Sequence, residues 1–416
     1  MTKIPALLRS CYPDTGGSSS MVSVAINIAG AEDKHPKVFT TSDKIEGVVT
    51  ITVAEKTAFG DIKITFEGIS RVMTWGGING LPLISARQTF MKFYYPIEKS
   101  PYQPGSILEP GWCYKFPFTF IVPENLPLTP CNHQVDDTVI ANPHTKVPPS
   151  ICKETDTECF SIDYIVRVVI SRPFYPKDQP TKSLVNAVRP VKILPSGTIG
   201  GSSGVAINTL TSHKELKIRR GWRGKCTGRL AVLASPAGCI RYPFHQIDAT
   251  DQANTSIKLD LVYNPVRTGA PPRLRKVYPR LNLVTSFHAT PRNGYPSFGQ
   301  SKSTNLPQGN HVQSLTLPTV DIESAQWVKV TTPSTGVSSS RQGCLPTFTD
   351  DEILYRTSIV VPISVPKHDD LVPSFQSCFI SRMYTLEFIF SYCMTKEAGS
   401  RTVKIEVPVD ITLRTE

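Results

Sequence analysis

Several groups of residues could in principle do chemistry. Gly200-Gly201-Ser202-Ser203-Gly204 fits the G-x-S-x-G spacing of a nucleophile elbow. That motif works only where a buried strand delivers the serine and a helix follows it, and here the flanks have the makeup of a flexible connector. Cys131, His133, His144 and Cys152 could offer two sulfurs and two ring nitrogens to zinc, but their spacing matches no usual ligand hairpin. Asp136-Asp137 and Asp350-Asp351-Glu352 could be acid/base pairs or a cation site, but surface-turn or edge-strand charge is the plainer reading of both. Gly76-Gly77-Ile78-Asn79-Gly80 lacks both the glycine spacing of a phosphate loop and the Lys-Ser/Thr that would follow, so it reads as a turn. No catalytic residue, metal ligand or cofactor site is assigned, and the chain is not expected to be an enzyme.

Charge is more informative. The formal charge is +11, and between Thr211 and Arg292 fifteen basic residues face four acidic ones, so that one stretch holds the whole excess. A field concentrated in this way suits an anionic partner: an acidic or phosphorylated protein segment, an anionic lipid surface or nucleic acid. Nucleic acid is disfavoured, because the stretch has no helix-turn-helix, zinc-finger or RNA-binding signature. Arginine pairs bidentately with carboxylate and phosphate, and the densest basic groups are Arg219, Arg220, Arg223 and Arg273, Arg275, Lys276. These six are the candidate contacts to an anionic partner; a solvated basic face with no specific partner is the plainer alternative.

The elements that must carry these residues are strands. Apolar side chains recur at every second position in Ile62 to Phe66, Phe116 to Val122, Ile162 to Ile170, Ile257 to Tyr263, Leu281 to Phe287, Tyr384 to Phe390 and Ile405 to Leu413. Such rows predict one buried and one wetter face, because successive side chains of a strand point to opposite sides. Turn chemistry separates the rows, as at Trp75 to Gly80 and Tyr242-Pro243. Thirty-six prolines and a 19% charged fraction also weigh against long helices.

A chain of 416 residues is too long for one ordinary sandwich. The expected organisation is a tail over 1–20, a sandwich over 21–195, a Gly/Ser-rich linker over 196–211 and a second sandwich over 212–416 with a mobile insertion near 290–311. No run of 18 uncharged apolar residues predicts a membrane span, and the N-terminal apolar run is too short for a secretory signal. Ten dispersed cysteines are expected to be reduced thiols.

Several stretches, taken in order, resemble a known family. Phe39 to Ile51 followed by Ile62 to Gly68 resembles the opening strands of the arrestin N-terminal domain. Trp112 to Pro127, containing Tyr114-Lys115-Phe116-Pro117-Phe118-Thr119-Phe120-Ile121-Val122-Pro123, is similar to its Y-x-F-P-F-x-F-x-[VI]-P strand, and Ser161 to Arg167 to a strand that crosses it. Pro271 to Leu274 leading into Leu281 to Phe287, Val360 to Ile363, and Cys378 to Leu386 resemble the C-terminal arrestin domain of fungal α-arrestins. The fold implied is all-β: two tandem immunoglobulin-like β-sandwiches, the arrestin fold, joined by a short linker.

The resemblance further implies a cytoplasmic adaptor, peripheral to the plasma membrane or endosomes, that binds cytosolic tails of membrane transporters or receptors. In fungi such proteins bring a HECT-type ubiquitin ligase, whose WW domains read PPxY, to those tails. The sequence holds no PPxY; Arg172-Pro173-Phe174-Tyr175 is the nearest variant, making Pro173 and Tyr175 candidate ligase contacts. Glu416 directly follows the last predicted strand, so no long C-terminal tail is expected to supply one. The alternative is an arrestin-fold sorting scaffold of an endosomal retrieval complex that recruits no ligase. A β-sandwich hydrolase or sugar-binding module would need a pocket with paired carboxylates or aromatics, and no suitable pair emerges.

Overall fold

The computed structural model describes residues 22–31, 37–75, 82–97, 107–127, 143–155, 158–173, 183–196, 212–219, 226–243, 253–266, 269–290, 308–331, 353–366, 368, 370–394 and 399–414. Among them the regular elements are β-strands, apart from one 3-10 turn at Pro143–Thr145. The period-two rows form the strands Ile62–Trp75, Cys113–Ile121, Glu158–Ser171, Ala253–Pro265, Arg273–His288, Ile380–Cys393, Arg401–Val409 and Ile411–Arg414. No described helix is long and apolar enough to cross a membrane.

Two compact units are present. One comprises Met1–Gly200 with Ser286–Asn310 and Phe375–Ser381; the other comprises Gly201–Thr285, His311–Ser374 and Arg382–Glu416. The 1–20 tail, nearly all of the 196–211 linker and positions 291–307 of the insertion lie outside the described residues. Two short segments of the second half therefore belong with the first unit, and aromatic packing is the reason. Phe287 stacks on Phe160 with ring centroids 4.9 Å apart, and Cys378, Phe379 and Ile380 join the same buried core.

In the first unit, Val22–Ile28, Lys44–Val53 and Cys113–Ile121 form a three-stranded sheet. A wider sheet runs in the order Val38–Phe39, Ser183–Ile193, Glu158–Ser171, Ile62–Trp75, Pro82–Tyr95, with Ile151–Glu154 also paired to Glu158–Ser171. Their apolar faces meet: Phe66 of the wide sheet lies 5.6 Å from Phe120 of the narrow one, ring to ring. Pro117, which has no N–H to give, sits on the edge strand of the narrow sheet. Asp43 accepts from the Thr40 N–H at 2.7 Å, capping the turn into Lys44–Val53. Gly47 is required by close approach, since a Cβ there would lie 2.3 Å from the Asn27 carbonyl and 2.5 Å from the Phe118 ring.

In the second unit a five-stranded sheet runs Ser212–Arg219, Cys226–Ala234, Ala253–Pro265, Ile353–Val365, Val328–Thr331. It faces a sheet built from Gln308–Thr316, Arg273–His288, Ile380–Cys393 and Arg401–Val409, and Leu259, Leu261, Leu283, Leu386 and Phe388 fill the core between them. Tyr242-Pro243, expected as a turn, instead ends the short strand Ile240–Pro243, which pairs in parallel with Ile411–Arg414. Proline is tolerated there because it occupies the strand's last position.

The wetter face expected opposite each core row is partly closed. Thr65 and Glu67 are both buried, with Lys92 Nζ and Arg167 Nε each 3.0 Å from the Glu67 carboxylate. Burial pushes this carboxyl up, but the Lys92 and Arg167 hydrogen bonds and the Arg167 charge outweigh it and hold it below the usual carboxylate range. In the second unit Glu387 is buried in the same manner against Lys404 at 2.5 Å.

Candidate anion-binding end of the second unit

Four of the six candidate cations lie among the described residues: Arg219, Arg273, Arg275 and Lys276, all exposed. Arg220 and Arg223 lie outside them, as does Tyr175. Pro173 is described, half-buried just past the Glu158–Ser171 strand, but belongs to the first unit and not with the four cations.

The four cations sit on different sheets, and a chain of contacts brings them to one end of the second unit. Arg219 ends Ser212–Arg219, where the register shifts between Ile218 and Arg219. Its carbonyl accepts from Arg401 Nη1 at 2.6 Å. Arg401 is the cross-strand partner of Tyr392, and the neighbouring Thr402 is the partner of Ser391. Ser391 Oγ in turn accepts from the Lys276 N–H at 3.0 Å and donates to the Lys276 carbonyl at 3.2 Å.

A second path closes the ring. Thr227 Oγ1 donates to the Ile218 carbonyl at 3.2 Å, and the Thr227 carbonyl accepts from the Tyr263 hydroxyl at 3.1 Å. The Tyr263 ring meets Trp327 edge-on at 6.5 Å, and Trp327 Nε1 donates to the Pro272 carbonyl at 2.9 Å, immediately before Arg273. Burial pushes the Tyr263 and Tyr392 hydroxyls up, although Arg401 pulls Tyr392 back. The end is therefore a braced frame from which exposed cationic side chains project.

Local sequence explains the projection from Arg273–His288. Leu274 and Val277 are buried, so the strict alternation slips and leaves Arg275 and Lys276 exposed side by side. Asp321 pairs with Lys276 across the strands, and exposed Glu323 follows it. Among the described residues, Arg219, Arg273, Arg275 and Lys276 are thus joined there by Arg401, with Asp321 and Glu323 as nearby carboxylates. Arg401 lies far outside the basic stretch, and only strand pairing delivers it, so the sequence offers no signal for it. Lys217 and Arg229, also basic, pair directly across the five-stranded sheet, with Glu215 3.7 Å from Arg229 to offset them.

The other chemical candidates are less productive. Among the described residues no group of three His, Cys, Asp or Glu side chains could hold a metal. His144 is buried with Nδ1 3.9 Å from Cys378 Sγ, and Cys152 is disulfide-bonded, so it has no thiolate to offer zinc and departs from the expected reduced thiol. Cys131, His133, Asp136-Asp137, Asp350-Asp351-Glu352 and Ser202 lie outside the described residues.

Residues 30–193 match the family model described as Arrestin (or S-antigen), N-terminal domain, about two fifths of the chain. No curated protein is matched. The chain is arrestin-like through its first unit, and the all-β architecture of both units agrees with a tandem-sandwich arrestin fold.

Proposed function

We propose that the protein is a cytoplasmic trafficking adaptor of the fungal α-arrestin type that binds acidic or phosphorylated cytosolic tails of membrane transporters or receptors through the basic end of its second unit. The observation that carries this reading is the contact ring that links Arg219, at the end of Ser212–Arg219, to Arg273, Arg275 and Lys276 at the start of Arg273–His288. Clustered, exposed guanidinium groups attract and orient carboxylate and phosphate, and the same charge suits a site beside an anionic membrane at the cell surface or endosomes. Recruitment of a HECT-type ligase would fall to Pro173 and Tyr175, since the sequence contains no PPxY. That absence favours the second reading, a sorting scaffold of an endosomal retrieval complex without ligase recruitment.

The test is binding of an acidic peptide and its phosphorylated counterpart to wild type and to Arg219→Glu/Arg273→Glu/Arg275→Glu/Lys276→Glu. Exposed charges are screened over about 8 Å at physiological ionic strength, so wild-type affinity should fall steeply with added salt. The reversed variant should bind at least tenfold more weakly; unchanged binding would sink the reading. Co-purification from cells then separates the two forms: ligase with transporters for the adaptor, coat subunits without ligase for the scaffold.

A further inference from the structure

In the second unit one arginine is buried with no carboxylate within 4.0 Å among the described residues. Arg382, on Ile380–Cys393, shares the inward face with Tyr384 and Leu386 and is only 3% exposed. Its partners are neutral. Nη1 donates to the Asp370 carbonyl at 3.2 Å, and the guanidinium lies 6.0 Å from the centre of the Tyr384 ring, its charge opposing the rise that burial imposes on the Tyr384 hydroxyl. That hydroxyl is already committed, donating to the Val372 carbonyl at 2.6 Å and accepting from the Val372 N–H at 3.3 Å. Nε is buried with no acceptor, and among the described residues no carboxylate approaches the guanidinium within 4.0 Å.

The contrast with Glu67 and Glu387, each buried against opposite charges, is direct. A guanidinium stays protonated at any working pH and has five donors, so burial cannot neutralise it. A water molecule could satisfy Nε, but only an anion balances the charge. The Asp370 carboxylate is near enough to act on the Tyr384 hydroxyl, but it is held by Gln313 Nε2 at 2.9 Å and makes no contact with the guanidinium, to which Asp370 turns its carbonyl. In the same turn His368 Nδ1 accepts from the Asp370 N–H at 3.2 Å, so a neutral His368 carries its proton on Nε2, a further donor.

We propose that Arg382 is the receptor for one oxyanion, a carboxylate or phosphate group of a bound ligand, which displaces the Asp370 carbonyl and fills the open Nε. The exposed basic end plays no part in this site, so either proposal can fail without the other.

The test is thermal unfolding of the full chain at constant ionic strength, with chloride exchanged for inorganic phosphate or acetate. A second arm uses a peptide of uncharged residues bearing one phosphoserine. Wild type should be stabilised by the oxyanions in a saturable way, and Arg382→Gln should weaken the apparent affinity at least tenfold. Gln313→Ala, which frees the Asp370 carboxylate to compete for Arg382, should weaken it less and so serves if Arg382→Gln does not fold. Stabilisation by the small ions alone assigns the site to a free anion, and stabilisation by the peptide as well assigns it to a group carried on a partner; both support the receptor. No stabilisation of wild type by any probe, or responses unchanged in the variants, would overturn it.

Discussion

The two units solve the same electrostatic problem with different rigour. In each, a central strand of a wide sheet buries a glutamate on the face turned away from the core, with a lysine from one neighbouring strand and an arginine from the other. Glu67 has Lys92 and Arg167, and Glu387 has Lys404 and Arg280. The polar row even continues one strand further, to Asn186 beyond Arg167 and to Ser314, which bonds Asn282, in the second unit. The arginine differs. Arg167 is 17% exposed and 3.0 Å from its carboxylate, whereas Arg280 is 48% exposed and 3.9 Å away. A buried pair depends on its geometry, because each charge has lost its water; a half-exposed pair is shielded by solvent and contributes little. Similar residue types on similar strands therefore carry different weight.

The sharpest way to break this comparison is to remove each arginine. Arg167→Ala leaves Glu67 buried with Lys92 alone and should destabilise the protein by about 3 kcal/mol, the lower end expected for breaking a buried pair. Arg280→Ala should cost about 0–1 kcal/mol. Urea unfolding of both variants measures the difference, and equal losses would mean that enclosure does not distinguish the clamps.

A glycine pair tests whether the contrast extends beyond charge. Gly47 in the first unit and Gly228 in the second both lie beneath an aromatic ring, with Cβ positions 2.5 Å from Phe118 and 2.5 Å from Tyr263. Each also meets a backbone carbonyl, at 2.3 Å from Asn27 and 2.6 Å from Asn264. Both Gly→Ala variants should therefore lose about 1–3 kcal/mol, since overpacking has no solvent to relieve it in either place. A large loss in only one would show that the units differ in packing as well as in electrostatics.

How much of this was legible in the sequence follows from the period of the pattern. Alternation reports which residues face the core, and it identifies Ile62, Ile64 and Phe66 as buried. It is silent on what covers the opposite face. Lys63 is exposed there, while Thr65 and Glu67, at equivalent positions of the alternation, are buried. Register between strands decides that outcome, and register depends on partners a hundred residues away, as in the pairing of Arg167 with Thr65. The candidate site has the same history. The density of arginine around 219 and 273 was visible, but the contribution of Arg401 was not, because it arrives through Arg401–Val409. Proline at 243 misled for a related reason: turn chemistry is local, whereas the strand partner that rescues it is Arg414.

Acid separates the first unit's own carboxylates. Glu67 is held below its ordinary range, so its stabilising contribution is complete above the unfolded-state value, about 4.3, and is lost as pH falls through the depressed folded value. Asp163 behaves oppositely: burial raises it, against a hydrogen bond from Ser161 and the charges of Arg71 and Arg87. The folded state then holds the proton more tightly, and stability declines as pH rises from the unfolded value, about 3.9, through the raised one. Glu67→Gln should therefore flatten the loss of stability on acidification, and Asp163→Asn should remove the opposing trend. Urea midpoints between pH 2 and 6 measure both, and parallel profiles for the two variants would contradict the assignment.

The smallest effect expected is at the second unit's lysine. Lys404 lies 2.5 Å from Glu387 and 2.8 Å from Glu406, and these bonds raise its ammonium above the ordinary lysine range. The side chain is nevertheless 52% exposed, so water screens much of the gain, and Lys404→Met should cost only about 0.5 kcal/mol. The sign of the linkage is fixed all the same: the contribution is complete below the unfolded lysine value, about 10.4, and disappears as pH rises through the higher folded one. Wild type and Lys404→Met should then converge in stability at strongly alkaline pH. A loss as large as that of Arg167→Ala would show that the outer carboxylate of the second unit is as dependent on its partners as the first, and the two clamps would be equivalent.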